Sequence, residues 1–190
     1  MNGTLVVFAS KLEFNTIFPQ ISAVVASSTP QSIDNRYERV IQVGICGAYP
    51  NRGIEIGDVV RVDTDIVGDM GIQTREGHFV TWKDVSGEDD TYEGESPRFL
   101  TLALASIRSV AGVSVNCCTG TKYLALRRGG LFKADVESME GAACFAVCKR
   151  FNVPAYQFRG VSNIAADRDT STWRIQEALM ALKEQVLDVL

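Results

Sequence analysis

The stretch Val136–Asn163, VESMEGAACFAVCKRFNVPAYQFRGVSN, decides how the chain is read. Two carboxylates, Glu137 and Glu140, open a run of small residues, Gly141 to Cys148, that reads as a helix. Pro154 punctuates it, and the apolar run Ala155–Phe158 reads as a strand ending in Arg159-Gly160-Val161-Ser162-Asn163. A helix with acids at its start and a strand with polar groups at its end aim both sets into one crevice.

Upstream, Thr4–Ala9 is a β-branched apolar run, read as a buried strand. Ser10 is a helix N-cap, so a helix from Lys11 places Glu13 in its first turn, beside the end of that strand. Complementing the helix dipole is the simpler role for an isolated Glu13. Val24–Ser27 reads as a short strand and Thr29–Asn35 as a polar loop. Arg39–Ile45 is a second strong strand running into Cys46-Gly47-Ala48, where Gly44 and Gly47 mark a close approach of the backbone. The spacing is not G-x-G-x-x-G, which argues against a dinucleotide fingerprint. The alternation in Val59–Val67 predicts a half-exposed strand, and from Gly68 to Pro97 regular signals fade into an acidic, glycine-interrupted loop.

Further on, Pro97–Val110 reads as a helix with Leu100, Leu104 and Ile107 on one face. Val113–Cys118 reads as a strand ending at Thr119–Tyr123, and Arg127–Gly130 as a turn. The last helix follows N-cap residues Asp169–Thr172 and carries the stripe Ile175, Leu179, Leu182, Val186 and Leu190. Strands alternating with helices predict an α/β fold, residues 1–190 as one domain, around a central, largely parallel sheet. Ligands of such sheets bind beyond the carboxyl ends of strands. Glu13, Gly44–Gly47, Thr119–Tyr123, Glu137, Glu140 and the Ser162-Asn163 end all sort onto that edge.

Composition narrows the chemistry. The chain has 190 residues, 46% hydrophobic and 22% charged, with a net charge of -4. That balance offers no basic footprint for nucleic acid and no polybasic membrane patch. No run approaches the roughly 18 apolar residues of a membrane span, and no signal-peptide pattern is present, so the expectation is a cytoplasmic protein. Five cysteines without C-x-x-C spacing and one histidine, His78, point to buried reduced thiols and to no metal or cofactor. Acid–base chemistry falls to the carboxylates.

A pocket of carboxylates, one aromatic ring and an amide suits cleavage of a glycosidic bond through an oxocarbenium-like sugar. Glu140 is an acceptor for a vicinal ribose diol, and Glu13 for the proton of an attacking water. Tyr123 offers a ring to stack on a flat base, Met139 a surface for the sugar face, and Asn163 an amide for the leaving base. Against this stand structural roles: dipole partner for Glu137 and Glu140, core for Met139, turn or strand end for Tyr123 and Asn163.

VESMEGAA, then FNVP, then an apolar strand into FRGVSN resembles the purine nucleoside phosphorylase and nucleosidase superfamily. Glu13, VGICGAYP, IGDVV and TGTKY extend the resemblance over most of the chain. Within it the chain is most similar to futalosine hydrolases, through ASKLEF, VGICGAYP, VESMEGAA and the SN end followed by Arg168-Asp169 and Trp173. Ala165-Ala166-Asp167 departs from the glutamate and proline expected there. The resemblance implies a nucleoside phosphorylase-like, three-layer α/β/α fold with a mixed sheet, and hydrolysis of futalosine to hypoxanthine and dehypoxanthine futalosine in menaquinone biosynthesis. It implies catalytic roles for Glu13 and Asn163, and substrate contacts from Tyr123, Glu137, Met139, Glu140, Gly47 and Ser162. The implied partners are a nucleoside and water, and the implied assembly is a homo-oligomer. Two other readings stay open: an adenine-releasing methylthioadenosine/S-adenosylhomocysteine nucleosidase, and a nucleoside-binding protein without turnover.

Overall fold

The computed structural model describes residues 3–17 and 37–190. The strand and loop expected over Val24–Ser27 and Thr29–Asn35 lie outside the described residues. The chain opens with β1 (Thr4–Phe8) and α1 (Lys11–Ile17), and continues with β2 (Arg39–Ala48) and β3 (Val59–Val67). A small hairpin, β4 (Gly71–Gln73) and β5 (Phe79–Thr81), leads into α2 (Trp82–Ser86) and β6 (Thr91–Glu93). Then come α3 (Leu102–Ala105), β7 (Ser109–Ser114), α4 (Lys122–Leu131), β8 (Val136–Ser138), α5 (Gly141–Phe151), β9 (Ala155–Ile164) and α6 (Ile175–Gln185).

The main sheet is mixed. β1–β2, β2–β9, β3–β7 and β7–β8 are parallel, while β2–β8, β3–β9 and β3–β6 are antiparallel. Following the pairs from β2 through β9, β3, β7 and β8 leads back to β2, so five strands close into a ring. β8 completes it with a short antiparallel contact, Gly47 opposite Glu137 and Ala48 opposite Val136. That closure brings the end of β2 against the Glu137 strand.

Residue alternation along β2 and β9 explains the layers. Ile41, Val43, Tyr156 and Phe158 face one way and pack with Leu179, Leu182 and Val186 of the α6 segment. Val40 and Ala155 face the other way, against Cys144, Phe145 and Cys148 of α5. Each fully buried Leu or Val contributes about 1.5–3 kcal/mol relative to exposure. The two sides of the sheet are therefore both apolar, and helices cover both.

Several elements differ from the sequence reading, each for a physical reason. Glu137 sits on a strand and not on the helix; α5 begins only at Gly141, with Glu140 as its N-cap residue. Helix α5 ends at Asn152 in the left-handed conformation (φ 54°), two residues before Pro154. The expected helix over Pro97–Val110 is a 3-10 turn, the short α3 and the start of β7, because Val110 pairs with β3. Arg127–Gly130 lies inside α4, since Thr121 caps that helix by accepting from Leu124 N–H. β3 is more buried than its alternation suggests, being flanked on both edges by β7 and β9.

Candidate active site

A cavity of about 350 Å³ opens where β1, β2, β8 and β9 end. Glu13, Gly47, Glu137, Met139, Glu140, Ser162 and Asn163 all line it. A larger, open hollow of about 660 Å³ lies at the other end of α5, edged by Glu93, Glu95 and Lys149. Its lining contains none of the site residues expected from the sequence. The smaller cavity is the one the fold builds.

Glu13 reaches the cavity from the first turn of α1, 5% exposed. Ser10 N–H and Ser10 Oγ donate to its Oε2 at 2.9 and 3.0 Å, and Glu13 N–H donates back to Ser10 Oγ at 3.2 Å. This is a capping box. Ile45 N–H donates to Oε1 at 3.0 Å, tying the carboxylate to the end of β2. Each carboxylate oxygen takes about two hydrogen bonds. Oε2 is therefore filled, and Oε1 keeps one position for a further donor.

Gly44 lies directly beneath this group. A Cβ there would stand 2.6 Å from Arg159 Nη1 and 2.8 Å from Glu13 Oε1. Glycine lets the Glu13 carboxylate and the Arg159 guanidinium crowd one point of the β2 backbone. Arg159 is fully buried on β9, and its Nη1 pairs with Glu140 Oε2 at 3.4 Å. Its role was not read from the sequence, although a charge inside the apolar run Ala155–Val161 is itself a signal, since buried charges are rare without a partner. Glu140, with its side chain one-third exposed, stands at the N-cap position of α5 on the opposite wall, and among the described residues its Oε1 takes no hydrogen bond from the protein.

Glu137 lines the cavity with its carboxylate already engaged. Thr119 N–H donates to Oε1 at 2.9 Å, while Thr119 Oγ and Tyr49 Oη donate to Oε2 at 2.6 and 2.8 Å. Arg128 adds an ion pair at 3.8 Å. Burial and the Glu137 charge push the Tyr49 hydroxyl up, so it stays a donor. Glu137 thus holds the Thr119 loop in place.

At the far wall, Asn163 stands opposite Gly47, next to a register shift between Cys46 and Gly47. A Cβ at 47 would come within 3.2 Å of Asn163 Nδ2. Ser162 Oγ donates to Asn163 Oδ1 at 2.8 Å, the shorter of its contacts; Cys46 O lies at 3.2 Å. With Oδ1 accepting from Ser162, Asn163 presents its amide N–H donors.

Tyr123 is the one predicted residue that lies apart from the others. It sits in the first turn of α4, 69% exposed, outside the cavity lining, with Arg127 5.5 Å from its ring. The cap at Thr121 starts the helix there and carries the ring onto the surface. Trp173 lines the cavity instead, with Arg168 5.0 Å from its ring. The sequence showed both residues after the β9 end but gave them no role. His78 is exposed in the β4–β5 hairpin. The cavity thiols are poor nucleophiles: burial pushes Cys46 up to about 12 and raises Cys118 as well. Arg52 and Arg61, whose guanidinium groups could otherwise bind an anion such as phosphate, are spent elsewhere. Arg52 donates to Gly129 O, and Arg61 donates to Asp63 and to carbonyls around α3.

The family pattern of the Phosphorylase superfamily matches residues 20–190. The chain belongs to this superfamily. It is 30% identical over 161 residues to a futalosine hydrolase from Thermus thermophilus, covering 80% of this chain and 69% of that protein. It is 31% identical over 158 residues to a futalosine hydrolase from Streptomyces coelicolor, covering 82% of this chain and 66% of that one. The fold superposes on 5'-methylthioadenosine/S-adenosyl homocysteine nucleosidase from Campylobacter jejuni with a TM-score of 0.74 and 20% identity, over 100% of this chain and 98% of that structure. The expected α/β architecture with a mixed sheet is thus borne out. Among the described residues no helix is long and apolar enough to cross a membrane.

Proposed function

We propose that the chain is a purine nucleosidase that hydrolyses futalosine to hypoxanthine and dehypoxanthine futalosine. Similarity to two futalosine hydrolases supports the reaction class. The Ser162–Asn163 contact carries the choice of base. A 6-oxopurine presents two acceptors, N7 and O6, along one edge. An amide whose oxygen is occupied by Ser162 offers two N–H donors to that edge. A 6-aminopurine presents a donor beside N7 and meets this amide less well.

The remaining roles follow from the open positions on each group. Glu13 Oε1 accepts the proton of the attacking water, with Arg159 beside it. Glu140 Oε1 accepts from the ribose diol, and Met139 packs on the sugar face. Cleavage passes through an oxocarbenium-like ribose, whose positive charge the Glu13 and Glu140 carboxylates stabilise. Asn163 stabilises the departing base by hydrogen bonding, since an amide has no acidic proton to give up. Water serves as the nucleophile, because Arg52 and Arg61 are committed to other partners.

The test is a product assay with futalosine and methylthioadenosine offered separately, each with and without phosphate. The expected result is hypoxanthine from futalosine, little adenine, and a rate that phosphate leaves unchanged. Adenine without hypoxanthine would favour the methylthioadenosine-type reading. Binding of either nucleoside with no cleavage would leave a binding protein.

A further inference from the structure

β3, β7, β9 and the first turn of α5 enclose a line of hydrogen bonds that the site chemistry above leaves unused. Ala142 N–H donates to Ser114 Oγ at 2.8 Å, so the Ser114 hydroxyl proton goes to Asp65 Oδ1 at 2.9 Å. Gln157 Nε2 donates to Asp65 Oδ2 at 3.1 Å. Arg159 Nε then donates to Gln157 Oε1 at 2.8 Å, and Arg159 Nη1 reaches Glu140 Oε2. Asp65 is 1% exposed, and Gln157 and Arg159 are fully buried. Gly141 closes the space from above, since a Cβ there would overlap Asp65 Oδ2 and stand 2.5 Å from both amide atoms of Gln157.

Every link has one polarity. A backbone N–H only donates, which makes Ser114 a donor to Asp65. Asp65 must therefore accept on both oxygens, and this sets the Gln157 amide with its oxygen toward Arg159. The amide oxygen in turn fixes the plane of the guanidinium, and with it the group that stands beside Glu13 and Glu140.

We propose that Asp65 is a positioning residue for the nucleosidase site, holding the Arg159 guanidinium in its working orientation through the Gln157 amide. This rests on the nucleosidase reading above. Asp65 touches no part of the cavity and acts only through Gln157 and Arg159. Protonated on Oδ2, it becomes a donor toward Gln157 and inverts that amide. The amide NH2 then faces Arg159 Nε–H, donor against donor, and the guanidinium is released. The charged groups facing Asp65 are Arg159 from β9 and Glu140 at the head of α5. The thiols of Cys46 on β2 and Cys144 on α5 lie within its field, and Tyr92 pairs with it from β6. Burial pushes the Asp65 carboxyl up from 3.8 to about 6, against the opposing pull of Gln157, Ser114 and Arg159. The relay therefore switches within a range of pH that an assay can scan.

The experiment compares the wild type with Asp65→Asn and with Asp65→Asn/Gln157→Glu in the full chain. Asparagine turns an N–H2 toward Gln157 and inverts the amide; a glutamate at 157 accepts from both sides and restores the polarity. The expected result is that Asp65→Asn lowers kcat on futalosine by about tenfold or more with KM within about threefold. The fall in kcat below about pH 6 should vanish in that variant, and the double variant should regain most of the rate. A single-variant loss that the double variant fails to recover, at equal melting temperatures, overturns the proposal. Exchange of the Arg159 Nε–H proton, followed by 15N NMR, reads the relay without turnover. Slow exchange in the wild type, fast in Asp65→Asn and slow again in the double variant supports it. Exchange that is the same in all three overturns it. If the wild type cleaves no nucleoside yet shows the NMR pattern, the nucleosidase reading fails while the Arg159 orientation by Asp65 stands.

Discussion

Ser10 and Glu13 satisfy one another at the head of α1: Ser10 N–H and Oγ donate to Glu13 Oε2, and Glu13 N–H donates to Ser10 Oγ. The bond that caps the helix is thus the bond that aims the Glu13 carboxylate, the base of the proposed reaction. Local helix chemistry and the site share the same atoms, so a cap substitution should be read in turnover as well as in stability.

Ser10→Ala removes the hydroxyl that donates to Oε2 and accepts from Glu13 N–H, and leaves only the backbone contact to Oε2. The capping loss should cost about 1 kcal/mol of stability. Turnover should fall severalfold as well, because only the Ser10 and Ile45 N–H groups then orient the carboxylate. Glu13→Gln keeps the shape but removes the base, and should lower kcat by at least about 100-fold with nucleoside affinity retained. Denaturant titration and steady-state kinetics separate the two effects. Full turnover in Glu13→Gln would show that the proton of water goes elsewhere.

Asn163→Asp changes the base edge without changing its shape. A protonated aspartate donates once to N7 and accepts once from a 6-amino group, which suits adenine and not hypoxanthine. The ratio of kcat/KM for futalosine over methylthioadenosine should fall about tenfold or more, on the scale of about 1–3 kcal/mol for a mispaired base edge. An unchanged ratio would mean that residue 163 does not read the base.

Much of this was legible in the sequence because the informative residues stood at element ends. Ser10 and Glu13 carry a cap signature, and Asn163 ends an apolar run, so both fell correctly onto the strand-end side of the sheet. The position of Tyr123 was not legible because the Thr121 cap starts a helix through Arg127–Gly130, where two glycines and two arginines suggested a turn. Glu137 was assigned to the helix because three residues of strand, Val136–Ser138, are too few to show a period. The Asp65–Gln157–Arg159 line joins β3 to β9, residues distant in sequence, and the register that pairs Val62 with Gln157 is a product of the folded sheet. Neither composition nor spacing encodes that neighbourhood.

Gly141→Ala tests how tightly α5 is seated on that line. Alanine is the better helix former by about 1 kcal/mol, so an open position would be stabilised. Here the added methyl overlaps Asp65 and crowds both amide atoms of Gln157. Neither can retreat, both being buried and hydrogen-bonded. A net loss on the order of 2–3 kcal/mol is expected from forced repacking, read as a lower urea midpoint. A gain in stability would mean that the helix start can lift off the sheet at little cost.

Asp65 also gives the fold a pH dependence of definite sign. Its carboxyl is raised from 3.8 to about 6 by burial, so the folded protein holds the proton more tightly than the unfolded chain. Below about pH 3 both states are protonated, and burying the neutral acid carries no charge penalty. Between about pH 3 and 6 the unfolded chain ionises first, and stability falls as pH rises. Above about pH 6.5 both states are ionised, and the penalty is complete and constant, about 3 kcal/mol at about 1.4 kcal/mol per pH interval of one. Asp65→Asn has no such proton to lose. The stability of the wild type minus that of the variant should therefore decline from pH 4 to 6.5 and then level off, as followed by urea unfolding at fixed ionic strength. A difference independent of pH across that window would mean that Asp65 titrates near its ordinary value, and a difference that grows with pH would mean that its charge is stabilised by Arg159 more than burial opposes it.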